Sequence, residues 1–95
     1  MGDALRNPTS AQRRIYQTLV EQPGRHWTVR TLTEALAMHA SVSGTGVRDT
    51  INLLLSLRHV DLVPYQRAMT VSLTASGEQA LTVALRRAAK TQKGR

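Results

Sequence analysis

Eleven arginines and two lysines stand against six carboxylates in this 95-residue chain, leaving a formal charge of +7. Arginine is suited to planar anions: its guanidinium donates two parallel hydrogen bonds to a phosphate or to the O6 and N7 edge of guanine, where lysine acts more as a point charge. The charge therefore points first to a polyanion, with solubility or an acidic membrane surface as other uses of it. Catalytic chemistry has little to work with. His26, His39 and His59 are widely separated without the spacing of a metal-binding pair, and the carboxylates are scattered one to a segment. His59, near a helix C-terminus, reads as compensation for the helix dipole rather than as a base. No serine stands in a nucleophile elbow. Cysteine is absent, which excludes disulfides, thiolate metal centres and thiol catalysis. Ser43-Gly44-Thr45-Gly46 lacks the lysine and spacing of a nucleotide-binding loop. We expect neither an enzyme, nor a metal site, nor a cofactor.

These residues must be held by one small domain, because a chain of this length has to be compact and mostly helical to bury enough apolar surface without covalent staples. No apolar run approaches the roughly 20 residues of a membrane span, and Met1 to Pro8 carries Asp3 and Arg6 where a signal peptide would be apolar. The expectation is a cytoplasmic protein, with a flexible segment 1–8, a folded domain 9–90 and a basic disordered tail 91–95.

Thr9 followed by Gln12 predicts a capping box opening a first helix to about Gln22, with Ile15, Tyr16, Leu19 and Val20 on one face and Pro23-Gly24 ending it. Arg25-His26-Trp27 is short enough only for a brief strand, its indole destined for the core. A second helix starts at Thr28, or a turn later at Thr31, and runs through Met38 with Val29, Leu32, Ala35 and Leu36 inward. Turn formers from His39 to Gly46 separate it from a third helix, about Gly44 to His59. There Val47, Ile51, Leu54 and Leu57 line one side and Thr45, Arg48, Asp49, Asn52 and Ser56 the other, the strongest amphipathic pattern in the chain. Asp61 falls where a chain leaving a helix takes a left-handed residue. Leu62 to Gln66 and Met69 to Leu73 pair as a hairpin in which Met69, Val71 and Leu73 alternate with polar residues, and Pro64 marks an edge strand. Thr74 caps a last helix whose stripe Leu81, Ala84, Leu85 and Ala88 either completes the core or, with the first helix, forms a dimer interface.

From Thr28 to Ala80 the chain resembles winged helix-turn-helix transcriptional regulators, most closely the MarR-like and PadR-like kinds. Three pieces carry the likeness. Thr28-Val29-Arg30-Thr31-Leu32-Thr33-Glu34-Ala35-Leu36 is similar to their second helix. Ser43-Gly44-Thr45-Gly46-Val47-Arg48-Asp49-Thr50-Ile51, continuing to Leu57 and Asp61-Leu62-Val63, is similar to their recognition helix and its exit. Val71-Ser72-Leu73-Thr74-Ala75-Ser76-Gly77-Glu78-Gln79-Ala80-Leu81 is similar to the junction that closes their wing. The resemblance implies an α+β fold, mainly helical with a small hairpin: a three-helix core, a wing and a C-terminal helix. Three departures stand out: a longer connection from Leu36 to Ser43, Asp61 in place of the usual glycine, and a short wing between Tyr65 and Met69 without a glycine turn. The long terminal helices that dimerise MarR-like proteins and enclose their ligands have no counterpart, so no small-molecule ligand is expected.

In such a fold the first turns of the recognition helix meet base edges in the major groove. The resemblance thus gives Ser43, Thr45, Arg48, Asp49 and Asn52 a reading role: Arg48 toward guanine, Asn52 toward adenine, Thr45 toward a thymine methyl, Asp49 toward cytosine N4 or toward orienting Arg48. The plainer alternative is a solvated helix face. Backbone phosphate or minor-groove contacts fall to Arg25, His26, Arg30 and Arg67, and to the amides around Gly44 and Gly46, which otherwise serve only as a flexible entry. Arg13 and Arg14 suit either role; Arg86, Arg87, Lys90, Lys93 and Arg95 either follow flanking DNA or stay solvated. The expected protein is a small sequence-specific binder of double-stranded DNA, a repressor-type regulator or a plasmid or phage accessory factor, acting as a homodimer. A winged-helix module for protein partners and a nonspecific architectural DNA-binding protein are the alternatives.

Overall fold

The computed structural model describes residues 8–38 and 42–93, with side chains through Arg87. His39, Ala40, Ser41 and most of the segment 1–8 lie outside the described residues, as do Gly94 and Arg95.

Helix α1 (Ser10–Glu21) starts at the predicted capping box: the Thr9 hydroxyl accepts from the Gln12 amide at 3.0 Å and Gln12 Oε1 accepts from the Thr9 amide at 2.9 Å. It buries Ile15, Tyr16 and Leu19. Strand β1 (His26–Thr28) follows the Pro23-Gly24 turn and carries Trp27 into the interior, 1% exposed. Thr28 and Thr31 exchange hydrogen bonds at 2.9 and 3.0 Å, which fixes the start of helix α2 (Val29–Ala35) at the earlier of its two candidate caps. That helix ends before Met38. The Leu36 amide divides between the Leu32 and Thr33 carbonyls and the Ala37 amide turns to Glu34, so the last turn tightens. Leu36 is thereby swung into the core, while Ala35, expected inside, is exposed.

Helix α3 (Gly44–Ser56) is capped by Ser43, whose Oγ accepts from the Gly46 amide at 3.1 Å. Val47, Ile51 and Leu54 are buried beside Thr50, as the amphipathic pattern predicts. Its exit corrects the expectation for Asp61. The left-handed residue is Arg58, at φ 63°, with Leu57 as C-cap. The Arg58 amide reaches the Leu55 carbonyl at 3.1 Å and the His59 amide reaches the Leu54 carbonyl at 2.9 Å, the paired bonds of a Schellman motif. Because the helix stops at Ser56 rather than His59, Asp61 lies instead within strand β2 (Val60–Leu62).

Strand β3 (Thr70–Leu73) is central in an antiparallel sheet of order β1-β3-β2. The wing pairs Val60 with Leu73, Asp61 with Ser72 and Leu62 with Val71; Trp27 meets Val71 from the other side. The strand before the wing therefore starts earlier than Leu62, and Pro64 lies beyond it. Strict alternation in β3 is also broken. Thr70 and Val71 are both buried while Met69 is 40% exposed, and the Thr70 hydroxyl is satisfied by the Ala68 carbonyl at 2.9 Å.

Helix α4 (Ala75–Lys93) opens on Thr74, whose Oγ1 accepts from the Gly77 amide at 2.9 Å. It continues through Thr91, Gln92 and Lys93, where a structureless tail was expected. Leu81 and Ala84 pack into the same core as Ile15, Tyr16, Leu19, Trp27, Leu32, Val47, Ile51, Leu54, Val60 and Val71. Burial pushes the Tyr16 hydroxyl up to about 12.

Two positions at the exit of α3 behave oppositely on substitution. A Cβ built at Gly77 would lie 1.8 Å from the His59 carbonyl oxygen and 2.6 Å from its carbon, a clash with backbone that no rotamer relieves. Gly77→Ala should lose at least about 2 kcal/mol in urea denaturation. Arg58→Gly should gain about 0.5 to 1 kcal/mol, since glycine removes the left-handed strain but adds unfolded-state freedom. Equal stabilities for the two variants would contradict this account of the junction.

Candidate nucleic-acid interface

The outward side of α3 is built by the periodicity that fills the core. With Val47, Ile51 and Leu54 turned inward, Ser43, Thr45, Arg48, Asp49 and Asn52 are all exposed, on the N-terminal half of the helix. Ser43 is engaged as the cap. Among the described residues, no hydrogen bond or ion pair holds the side chains of Arg48, Asp49 or Asn52, so Asp49 does not orient Arg48. These groups face solvent with their donors and acceptors unassigned. Gly44 has open space around its Cα, and a Cβ on Gly46 would meet only the Ser43 Oγ at 3.3 Å. Among the described residues, no contact demands either glycine.

The cations expected at phosphates are placed differently from one another. Arg30 is paired with Glu34 through Nε and Oε2 at 3.2 Å, on a surface where the two side chains are 86% and 64% exposed. Such a pair contributes only about 0.3 to 0.5 kcal/mol and yields readily to a phosphate. Arg25 is held more firmly: its guanidinium lies 4.1 Å from the Trp27 ring centroid and donates to Gln22 Oε1 at 3.1 Å. It shields the indole, whose Nε1 is buried without a partner. His26 is exposed on the edge strand β1, and Arg67 is exposed in the loop between β2 and β3.

The stripe proposed for dimerisation is largely consumed by the domain itself. Leu81 is fully buried and Ala84 is 3% exposed, packed in the common core, so neither can meet a partner. Leu85 is half-buried against that core, and the Ala88 side chain lies outside those described. The outward face of α4 instead presents Val83, 45% exposed, among Glu78, Gln79, Thr82 and Arg86.

Two residues of interest escaped the sequence reading. Arg58 adds an exposed cation at the exit of α3. Tyr65 stands fully exposed in the wing with φ 64°. The signal for Tyr65 was the missing glycine of the wing turn, which left another residue to adopt its conformation.

His59 sits where burial disfavours the charged form that compensation of the helix dipole would use. Its Nδ1 is buried without a partner, and burial holds its pKa below the ordinary 6.5. Among the described residues no three potential metal ligands come together, and no helix is long and apolar enough to cross a membrane.

The order of helices, the sheet and the β2–β3 wing define an α+β winged-helix fold. Two solved structures resemble it. A mutant form of ZitR from Lactococcus lactis superposes with a TM-score of 0.63 at 21% identity, over 99% of this chain and 63% of that one. RV1404 from Mycobacterium tuberculosis superposes with a TM-score of 0.61 at 20% identity, over 94% of this chain and 61% of that one. The chain thus spans about three fifths of the length of each. No family model matches the sequence, and no curated protein matches it.

His59 gives this region a pH dependence. With the folded pKa below the unfolded one, the unfolded chain takes up the proton first as pH falls. Stability should therefore decline as pH drops through 6.5 and stop declining once the folded histidine also titrates. Thermal melts of the parent and His59→Gln between pH 7.5 and 5 should show a shallower decline in the variant; parallel curves would assign the acid sensitivity elsewhere.

Proposed function

We propose that the protein is a sequence-specific binder of double-stranded DNA that regulates transcription by occupying an operator, with α3 in the major groove and the wing on the adjacent backbone or minor groove. The observation carrying this reading is the exposed, unpartnered set Thr45, Arg48, Asp49 and Asn52 on the first turns of α3, in a chain of formal charge +7. Arginine and asparagine there can donate and accept in pairs, which is what discrimination among base edges requires. A winged helix presents this helix to DNA by its leading turns. Arg30, Arg67 and Arg58 supply the sequence-independent contacts, and a cytoplasmic location and the absence of catalysis accompany the proposal.

The same reading includes a homodimer, because one such helix contacts too few base pairs to find a site in a genome. Its interface uses surface other than Leu81 and Ala84, and the outward side of α4 around Val83 is available. Sedimentation equilibrium should give twice the chain mass, and sequences selected from a random pool should be inverted repeats with half-sites about one helical turn apart. A monomer that binds a single asymmetric site would remove the dimer and leave the DNA reading standing.

Base reading is tested by substitution. Arg48→Ala and Asn52→Ala should each weaken binding to the selected site by about 1 to 3 kcal/mol and relax preference at particular bases. Arg67→Ala should weaken all sequences alike and flatten the dependence on salt, as loss of one phosphate contact does. Uniform, sequence-independent losses from all three would leave a nonspecific architectural binder. No duplex binding at low salt would favour the rival reading, a module for an acidic protein partner.

A further inference from the structure

The wing carries a feature that backbone neutralisation leaves unexplained. Tyr65 is 101% exposed, with its backbone at φ 64°, a conformation that a bulky side chain adopts only under strain. The bonds of the loop around it are few: Pro64 precedes it, the Gln66 side chain donates from Nε2 back to the Pro64 carbonyl at 3.3 Å, and the Thr70 hydroxyl closes the far side of the loop on Ala68. Among the described residues nothing covers the ring. The same wing also exposes Arg67 and the apolar side chains of Leu62, 59% exposed, and Met69, 40% exposed. From Leu62 to Gly77 the chain contains no carboxylate. A loop free of acidic groups suits an anionic partner, and an exposed aromatic ring two residues from an arginine offers a nucleic acid a face for its sugars and bases as well as a charge for its phosphates.

Resting on the DNA reading above, we propose that Tyr65 is the anchor of the wing, lying against sugars and base edges of the minor groove flanking the site that α3 reads, with Arg67 on the neighbouring phosphates. The reach is adequate. Five residue steps from Val60 to Tyr65 at about 3.3 Å each extend at most about 17 Å beyond the exit of α3, and with the length of the tyrosine side chain this upper bound covers about half of the roughly 34 Å helical repeat, the scale of the offset from a major groove to the next minor groove. Apolar and aromatic side chains at such a position wedge against base steps and act through contact area rather than charge. Tyr65 therefore adds affinity that salt does not screen, whereas Arg67 adds the screened part.

The test compares the full chain with Tyr65→Ala, Tyr65→Gly and Arg67→Ala on a duplex selected by the parent, over a range of salt concentrations, with thermal melts of each. Tyr65→Ala and Tyr65→Gly should bind about 5- to 150-fold more weakly with the salt slope unchanged, while Arg67→Ala flattens the slope. The melting temperature of Tyr65→Gly should be no lower than the parent's, since glycine fits the left-handed backbone, so its lost affinity reports the ring and not the fold. Parental affinity in both Tyr65 variants overturns this inference alone and leaves the exposed wing residues to a protein partner. A parent that fails to bind duplex at low salt overturns the DNA reading and this inference together.

Discussion

The close approach of Gly77 to the His59 carbonyl is the constraint on which the domain turns. The backbone of His59 is used in both directions: its amide closes the Schellman motif on Leu54, and its carbonyl accepts from the Thr74 amide at 3.0 Å and lies 3.1 Å from the Thr74 hydroxyl. Thr74 in turn caps α4. One turn of chain thus joins the end of α3, the start of α4 and, through Val60 and Leu73, both strands of the wing. Two short strands alone would be marginal in water. They persist because this junction clamps one end and β1 adds a third strand alongside β3.

The consequence for α3 is rigid presentation. Its inner face is anchored through Val47, Ile51 and Leu54 to a core that also contains Trp27 and Tyr16, its start is capped by Ser43, and its end is fixed at Arg58. On the outer face Ser43 is engaged as the cap and Ser56 donates to the Leu53 carbonyl, while among the described residues nothing holds Arg48, Asp49 or Asn52, which keep their hydrogen-bonding capacity. The cations nearby are graded by what they must give up. Arg30 would exchange a solvated ion pair for a phosphate at small cost. Arg25 would uncover an indole and abandon a cation–π contact of about 0.5 to 1 kcal/mol, which makes it a covering residue before it is a ligand.

Legibility in the sequence followed locality. Thr9 with Gln12, the spacing of Val47, Ile51 and Leu54, and the Thr74 to Gly77 junction each encode their structure within a few residues, through capping bonds or helical period, and all three are found in the structure. What misled depends on contacts distant in sequence. Asp61 looks like a helix exit only if α3 continues to His59; the earlier stop at Arg58 is enforced by Thr74 and Gly77, fifteen or more residues on. The stripe Leu81, Ala84, Leu85 and Ala88 is apolar whether it faces α1 or a second chain, and periodicity carries no information about which. The polar side of α3 was legible for the same reason that its inner side was, since one pattern defines both. Tyr65 was not, because exposure of a ring in a loop is set by the conformation of the turn.

The two left-handed residues that are not glycine separate strain with a structural return from strain without one. At Arg58, two helix carbonyls are satisfied by the turn and the carbonyl group of the strained residue itself lies 3.1 Å from the Thr74 hydroxyl. Its conformation is determined by groups that would otherwise be left unsatisfied, and an arginine is tolerated because its side chain points to solvent. At Tyr65, the surrounding bonds are a long side-chain contact from Gln66 and a threonine turn, neither of which requires a large aromatic residue. Glycine or asparagine would close this loop with less strain, and any polar side chain would be better solvated. The contacts among the described residues therefore account for the left-handed backbone at Arg58, and none of them accounts for an aromatic ring at Tyr65, which is the asymmetry the proposed minor-groove contact would explain.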